Sequence, residues 1–170
     1  YRAARFLPDE VLIWGGYSYD TGWVNTGGRY DPATYSWSRI STVGAPYSGH
    51  LAVWTGSRMI VWGGDHGLIY DPLSDTWSAT STWTGISPTV AVWAGGRMVL
   101  WNPGADSGGR YDPASDSWEG VSPSVTLANR GGVSVISTGD SMIAWGGRTN
   151  GGPSYKTGAP YDPATHTLAP

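Results

Sequence analysis

Short apolar runs separated by turn sequences recur along the chain and predict β-strands. In one stretch, the apolar runs Leu51–Trp54 and 59–62 flank a Thr-Gly-Ser turn at 55–57, a pattern typical of a hairpin. A Gly doublet ends the second run, a third strand ends in the triplet Tyr-Asp-Pro at 70–72, and a fourth strand carries Trp77. The stretch therefore predicts one unit of four short antiparallel strands, and the rest of the chain can be aligned with this unit.

This four-stranded unit is repeated. The triplet Tyr-Asp-Pro occurs four times, with a period of about 40 residues that lengthens to about 50 in the last repeat, a range that suits one propeller blade. The triplets begin at Tyr30, Tyr70, Tyr111 and Tyr161. The sequence therefore predicts an all-β chain in which one domain, 1–170, contains four blades, approximately at 1–43, 47–82, 87–122 and 129–170.

The second strand of each predicted blade is apolar without alternation. These strands lie at 11–14, 59–62, 97–101 and 142–145. Such runs are typical of strands in a sheet that is covered on both faces. In a propeller, the neighbouring blades cover these faces. Four blades could close as a small ring or form an arc of a larger one. An open arc would expose the apolar faces of its end blades and require more blades, a second copy or another chain.

The turn sequences explain most of the repeated polar residues. In each Asp-Pro turn the Asp is expected to accept backbone N–H groups, while Pro presets the next φ. Turn formation therefore accounts for the recurring carboxylates of Asp31, Asp71, Asp112 and Asp162. We expect the Tyr and Trp residues that flank these turns to stack between blades. Arg29 and Arg110 each precede a Tyr, and we expect them to make inter-blade or cation–π contacts.

Together these motifs resemble the kelch-repeat family, in particular its bacterial members. The resemblance rests on Gly doublets at 15–16, 63–64 and 146–147, on the Tyr-Asp-Pro triplets, and on a Trp seven residues after Tyr. That Trp is Trp37, Trp77 and Trp118 in the first three repeats. The resemblance covers essentially the whole chain and implies a kelch-type β-propeller. Departures are Asn102-Pro103 in place of one doublet, Leu168 in place of the fourth Trp, and Arg2 and Arg5 in the first strand.

Composition narrows the possible partners and chemistry. Eleven Trp, ten Tyr and 26 Gly suit short strands and tight turns, and the net charge of −3 predicts no nucleic-acid partner. No apolar run is long enough to predict a membrane span. The absence of Cys excludes disulfides and the Tyr–Cys copper site that resemblance to galactose oxidase would imply. The chain begins without Met, so a removed leader is compatible with it, and its likeness to bacterial kelch repeats leads us to expect an extracellular or cell-envelope location.

Binding residues are expected in the variable loops. Turns at one end of the blades are nearly constant, whereas the second-to-third connections and the blade connections differ in length and composition, as binding loops on a rigid scaffold do. The kelch resemblance implies that this end commonly contacts partners. The candidate contact residues are Tyr17, Tyr19, Asp20, Trp23, Tyr47, His66, Trp83, Arg130, Arg148, Asn150, Tyr155 and Lys156. Several of them, Trp23 and Trp83 above all, could instead pack a loop against the next blade.

The expected function is that of a non-catalytic scaffold for protein–protein interaction, since exposed Tyr, Trp and Arg are frequent binding anchors. Another protein or further blades are the expected partners, and no cofactor is expected. The three histidines, His50, His66 and His166, occupy non-equivalent positions without metal-ligand spacing. The alternative is carbohydrate binding or, as in the sialic-acid mutarotase type, sugar isomerisation. That reaction needs an acid/base group in a central pocket, which the sequence does not identify.

Overall fold

A computed structural model of the chain describes residues 4–6, 10–46, 51–64, 66–105, 107–121, 127, 129–162 and 167–168, with the backbone alone for 4–6 and 167–168. The described part contains β-strands and turns and no helix. The strands form four four-stranded antiparallel sheets and one two-stranded hairpin, which confirms the predicted all-β architecture of repeated four-stranded units. We call the four sheets blades 1 to 4 in chain order.

The chain divides into two compact units, Tyr1–Thr82 and Trp83–Pro170. The first unit contains the strands β1 (Ala4–Phe6), β2 (Val11–Trp14), β3 (Tyr17–Ser18), β4 (Gly22–Trp23), β5 (Gly27–Asp31), β6 (Ser36–Arg39), β7 (Leu51–Trp54), β8 (Met59–Gly63), β9 (His66–Asp71) and β10 (Thr76–Ala79). Blade 1 is the sheet β1-β2-β5-β6, and blade 2 is the sheet β7-β8-β9-β10. The segment predicted as a loop at 17–26 contains the separate hairpin β3-β4, because Tyr17 pairs with Trp23 and Ser18 with Gly22.

The second unit contains blades 3 and 4. Its strands are β11 (Val90–Ala94), β12 (Arg97–Asn102), β13 (Ser107–Asp112), β14 (Ser117–Gly120), β15 (Gly131–Ser137), β16 (Met142–Arg148), β17 (Gly158–Asp162) and β18 (Thr167–Leu168). Blade 3 is the sheet β11-β12-β13-β14, and blade 4 is the sheet β15-β16-β17-β18. The expectation that a Gly doublet ends the second strand is wrong in blade 4. There β16 continues through Gly146 and Gly147, because Arg148 still pairs with Gly131 of β15.

The core of the first unit lies between blades 1 and 2. Leu12 and Trp14 of β2 are fully buried and pack in one cluster with Met59 and Val61 of β8. The rings of Trp14 and Trp77 approach to 4.7 Å between centroids. One face of blade 1 therefore packs on one face of blade 2, as predicted for stacked propeller blades.

The core of the second unit repeats this arrangement between blades 3 and 4. Val99 and Trp101 of β12 are buried in one cluster with Met142 and Ala144 of β16 and with Tyr161. A main-chain hydrogen bond from the N–H of Gly95 to the carbonyl of Gly139, 2.9 Å long, joins the two hairpin turns. Each unit thus has its own blade-to-blade core.

The apolar runs predicted that both faces of every second strand are covered, and this prediction is wrong for β2 and for β16. Residues 59–62 of β8 and 98–101 of β12 are buried on both faces. In β2 and in β16 only alternate residues are buried. Val11 and Ile13 of β2 are half-buried, and Ile143 and Trp145 of β16 are 38% and 56% exposed. The expected inter-blade stacking is also wrong for Trp37, which is 58% exposed and stacks on Tyr30 of its own blade at 5.0 Å.

A Trp opposite a Gly recurs in every blade and was not recognised in the sequence. The second-strand Trp residues pair across the sheet with third-strand Gly residues, as Trp14 with Gly27, Trp62 with Gly67, Trp101 with Gly108 and Trp145 with Gly158. A Cβ at Gly67 would lie 3.0 Å from the Trp62 ring, and one at Gly158 would lie 2.7 Å from the Trp145 ring. Because Gly has no side chain, each indole can lie against the neighbouring strand. The sequence signal is a Gly three residues before each repeated Tyr.

The Asp-Pro turns and Arg29 behave as predicted. Asp31, Asp71 and Asp112 each accept a hydrogen bond from the backbone N–H two residues later, at 2.8 to 2.9 Å. Arg29 forms an ion pair with Glu10 and donates to the carbonyl oxygen of Pro72 in blade 2 at 2.8 Å. The inter-blade contact expected of Arg29 is therefore confirmed.

Candidate functional site

Three aromatic side chains are grouped on the β3-β4 hairpin, and we call Tyr17, Tyr19 and Trp23 the aromatic hairpin. Their exposed fractions are 59%, 98% and 55%. The ring of Tyr17 lies edge-on to both neighbours, with its centroid 5.9 Å from Tyr19 and 5.2 Å from Trp23. Such perpendicular contacts are favourable for aromatic rings. The rings therefore support one another while much of their surface faces solvent.

Backbone hydrogen bonds hold the aromatic hairpin on blade 1. The N–H of Gly15 donates to the carbonyl of Thr26 at 2.8 Å, and the N–H of Val24 donates to the carbonyl of Gly16 at 3.1 Å. Gly15 and Gly16 have φ values of 68° and 135°, a region that glycine adopts without steric cost. The Gly doublet of the sequence therefore sets the direction in which the hairpin leaves β2.

A cavity of about 520 Å³ lies beside the aromatic hairpin. Its apolar wall includes Ile13, Val24 and Trp37, and Ser18 and Thr26 contribute hydroxyl groups. Tyr17 lines the cavity as well, so one ring of the aromatic hairpin faces it. Trp37 is a site residue that the sequence reasoning missed, because its repeat position predicted a contact with another blade.

The second candidate loop, 148–157 in blade 4, is held by Arg130. The Arg130 side chain is buried and donates from Nη1 to the carbonyls of Gly146 and Thr157, both at 3.2 Å, and to the Thr157 hydroxyl. Its guanidinium carbon lies 3.9 Å from the centroid of the Tyr155 ring, a cation–π contact. Arg130 therefore supports the loop from within, and a partner at the surface has little access to it.

Above this support, polar side chains of the loop face solvent. Arg148, Asn150 and Lys156 are exposed, and Tyr155 is 37% exposed on the side not covered by Arg130. A cavity of about 520 Å³ is lined by Gly131, Gly132, Gly147, Arg148, Asn150 and Ser154. The cavity thus brings together two predicted contact residues of this loop, Arg148 and Asn150.

The remaining predicted contact residues are more scattered. Asp20 is exposed at the tip of the aromatic hairpin, and His66 is exposed at the start of β9. Trp83 is half-buried, and its ring stacks on that of Trp118 at 5.7 Å, so this connecting segment packs against the next blade, blade 3. Tyr47 lies outside the described residues, as do two of the three histidines, His50 and His166.

Hydrogen bonds in the turns and burial account for the pKa shifts of Asp31, Asp71 and Tyr70. Hydrogen bonds from the Thr34 hydroxyl and the Ala33 N–H lower the pKa of Asp31, and the N–H of Leu73 lowers that of Asp71. Burial, together with the hydrogen bond to Asp75, raises the pKa of Tyr70 to about 12. Within the described ranges no three His, Asp or Glu side chains are placed to hold a metal ion, and no helix could span a membrane.

Comparison with known proteins agrees with the repeat pattern and the fold, although no family model matches the chain. Kelch-like protein 25 of Mus musculus is 34% identical over 90 residues, which are 48% of this chain and 15% of that protein. Kelch-like protein 25 of Rattus norvegicus is 35% identical over 99 residues, covering 53% of this chain and 16% of that protein. The chain therefore spans about one sixth of the length of these curated relatives.

Among solved structures, that of YjhT matches the fold. Its TM-score is 0.67 at 19% sequence identity, and the match covers 92% of this chain and 65% of that chain. At this identity the likeness concerns the fold alone. The four-stranded sheets agree with this likeness in fold. Over about half of its length the chain is therefore similar to kelch-like proteins, and its four-stranded sheets match the fold of a kelch-type β-propeller.

Proposed function

We propose that this chain is a non-catalytic scaffold that binds another protein through the aromatic hairpin. The observation that carries the proposal is the grouping of Tyr17, Tyr19 and Trp23, each more than half exposed, with the Tyr17 ring edge-on to the other two. Tyr and Trp are enriched among the residues that dominate protein–protein binding energies. Because the Tyr17 ring contacts both neighbours, we infer that a partner covers these apolar surfaces at a reduced cost in side-chain entropy.

The anchoring of the hairpin supports a role in recognition. Two backbone hydrogen bonds connect its ends to each other, from Gly15 to Thr26 and from Val24 to Gly16. Its own sequence, 17–23, contains one charged residue, Asp20. A complementary partner surface would therefore be mainly apolar, with a hydrogen-bond donor or a cation opposite this carboxylate.

Site-specific photo-crosslinking tests the proposal. A photoreactive residue at position 19 is expected to crosslink a defined protein from the native source, and the same residue at position 73 is not. Leu73 is 96% exposed on an Asp-Pro turn, so it controls for exposure alone. Excess unlabelled chain should compete for the crosslink, whereas the Trp23→Ala chain should compete at least about tenfold less well if Trp23 is an anchor. Equal crosslinking at both positions would contradict the proposal.

Carbohydrate recognition is the second candidate, supported by the cavity beside the aromatic hairpin. Tyr17 and Trp37 offer aromatic surface there, and Ser18 and Thr26 offer hydroxyl groups for hydrogen bonds. Saturable binding on a glycan array that is lost in Trp37→Ala and in Tyr17→Ala would favour this candidate over a protein scaffold. Sugar isomerisation has less support, since the described residues that line the cavity include no carboxylate, imidazole or amine to move a proton.

A further inference from the structure

An apolar surface on blade 4 is open to solvent, and we call it the Trp face. It is formed by residues on one side of three adjacent strands, because Ser134 pairs with Trp145 and Ile143 pairs with both Ile136 and Pro160. Ile136, Ile143 and Trp145 are 60%, 38% and 56% exposed. A contiguous apolar surface of this kind, with no charged side chain among its members, is typical of an interaction site.

The corresponding face of two other blades, which we also call the Trp face, is buried in a junction between blades within this chain. Counting back from the repeated Trp, the Trp face of blade 1 presents Leu12 and Trp14, which are fully buried between blades 1 and 2. In blade 3 the equivalent residues, Val99 and Trp101, are buried between blades 3 and 4. The Trp face of blade 4 therefore carries apolar residues at the same positions as the buried residues of blades 1 and 3.

Each junction also has a receiving side, which in blade 2 is formed by Met59, Val61, Tyr70 and Trp77. The equivalent residues of blade 1, which we call the receiving face, are Val11, Ile13, Tyr30 and Trp37. None of these four is buried, and Trp37 is 58% exposed. The cavity of about 520 Å³ lies beside Trp37 and is also lined by Ile13 and Gly28. Blade 1 thus has room next to the ring that would receive an incoming Trp.

We propose that a second copy of this chain docks head to tail, with the Trp face of blade 4 on the receiving face of blade 1 of the other copy. Trp145 of one copy then packs beside Trp37 of the other, as Trp14 packs beside Trp77 at 4.7 Å. The docking partner is a second copy because one chain carries both the Trp face and the receiving face. Each of its two units already joins such a pair of faces once. Such a contact between unlike faces either closes into a ring of copies or continues as an open assembly.

This junction is more apolar than the one between blades 1 and 2. That junction includes the hydrogen bond from Arg29 to the carbonyl of Pro72, but the position equivalent to Arg29 in blade 4 is Pro160. Association through the Trp face should therefore depend little on salt, because screening weakens contacts between charges and leaves apolar contacts in place.

Sedimentation of the 170-residue chain over a dilution series tests the proposal, which goes beyond the proposed partner site. We expect at least twice the mass of one chain at high concentration and little change with added salt. Trp145→Glu and Trp37→Glu, each placing a charge in the apolar junction, should sediment as single chains. Leu73→Glu, at a 96% exposed position on an Asp-Pro turn, is the matched control and should associate like the wild type.

Mixing the two variants separates a lost interface from a lost fold. The Trp145→Glu copy keeps an intact receiving face and the Trp37→Glu copy keeps an intact Trp face, so the mixture should form a two-copy complex through one junction. Circular dichroism of each variant checks that the strands are retained. A wild-type chain that sediments as a single copy at every concentration would overturn the proposal, and so would association that persists in Trp145→Glu.

Discussion

At the scale of single residues, two buried tyrosines donate hydrogen bonds to aspartates that have an uncommon backbone conformation. Tyr70 donates its hydroxyl to Asp75 at 2.8 Å, and Tyr111 donates to Asp116 at 2.6 Å. Asp75 and Asp116 have φ values of 53° and 49°, a left-handed conformation that few non-glycine residues adopt. Each turn is therefore stabilised by a hydrogen bond from the strand that precedes it, and Asp75 also accepts the N–H of Ser41 from the end of blade 1.

Removing the Tyr70 hydroxyl should destabilise the chain and change its response to alkaline pH. We expect Tyr70→Phe to lower the free energy of unfolding by about 1 kcal/mol, the usual net value of one such hydrogen bond. Because the pKa of Tyr70 is raised from 10.0 to about 12 in the folded chain, the unfolded chain loses this proton first as the pH rises. Stability from Tyr70 should therefore be fully present below pH 10 and fall progressively between pH 10 and 12.

Denaturant unfolding at neutral and alkaline pH measures both effects. Tyr30→Phe is the matched control, since Tyr30 occupies the same position in blade 1 but is followed five residues later by Tyr35 instead of Asp. Its hydroxyl has no hydrogen-bond partner in the part of the chain that the structure describes, so a change within about 0.5 kcal/mol is expected. An alkaline loss of stability that is the same in Tyr70→Phe as in the wild type would show that Tyr70 is not its source.

At the scale of strands, the paired Trp and Gly set how closely the second and third strands approach. In blade 3, a Cβ at Gly108 would lie 2.5 Å from the carbonyl oxygen of Leu100 and 3.2 Å from the Trp101 ring. A backbone oxygen cannot move aside as the end of a flexible side chain can. The recurrence of this pair in all four blades makes it a packing feature of the repeat and not of one site.

The substitution Gly108→Ala should therefore be costly although it adds a single methyl group. We expect it to lower the free energy of unfolding by roughly 1–3 kcal/mol, the range typical of overpacking. Gly120→Ala in the neighbouring strand β14 is the matched control, because a Cβ there meets no atom within 4 Å. Thermal and denaturant unfolding of both variants provide the comparison. Equal stability of the two would contradict the role of close strand approach.

At the scale of the whole molecule, the two compact units have separate cores. Met59 in the first unit and Met142 in the second occupy the same position, three residues before the repeated Trp, and both are buried. Met59 belongs to the cluster that contains Trp14, and Met142 belongs to the cluster that contains Trp101. The two methionines therefore allow the same substitution to be made in either core.

We expect each substitution to destabilise mainly the unit that contains it. Met59→Ala should cost about 2–5 kcal/mol, as large-to-small substitutions in cores do. Amide hydrogen exchange should then accelerate mainly within 1–82, and Met142→Ala should accelerate it mainly within 83–170. Exchange measured by mass spectrometry on peptides from both units distinguishes the cases. A uniform acceleration along the whole chain in both variants would mean that the units unfold as one cooperative body.

Much of the fold could be predicted from local sequence. The strand β2 was predicted at its observed bounds, Val11–Trp14, and the Asp-Pro turns formed the expected hydrogen bonds at Asp31 and Asp71. These features depend on residues close together in the chain, such as an Asp whose carboxylate accepts the N–H two residues later. The candidate site was predicted less completely. The aromatic hairpin lies within the predicted loop, but Arg130 is buried beneath the other loop, because three acceptors and the Tyr155 ring surround its guanidinium.

The sequence by itself determined where strands, turns and repeats occur, since hydrophobic periodicity and turn chemistry act over a few residues. Only the tertiary structure decided which faces are covered. Met-Ile-Val-Trp-Gly-Gly at 59–64 and Met-Ile-Ala-Trp-Gly-Gly at 142–147 differ by one residue, yet Trp62 is 2% exposed and Trp145 is 56% exposed. Burial of an indole depends on whether another surface packs against its face of the sheet, and that surface is supplied by residues far away in the chain or by another molecule.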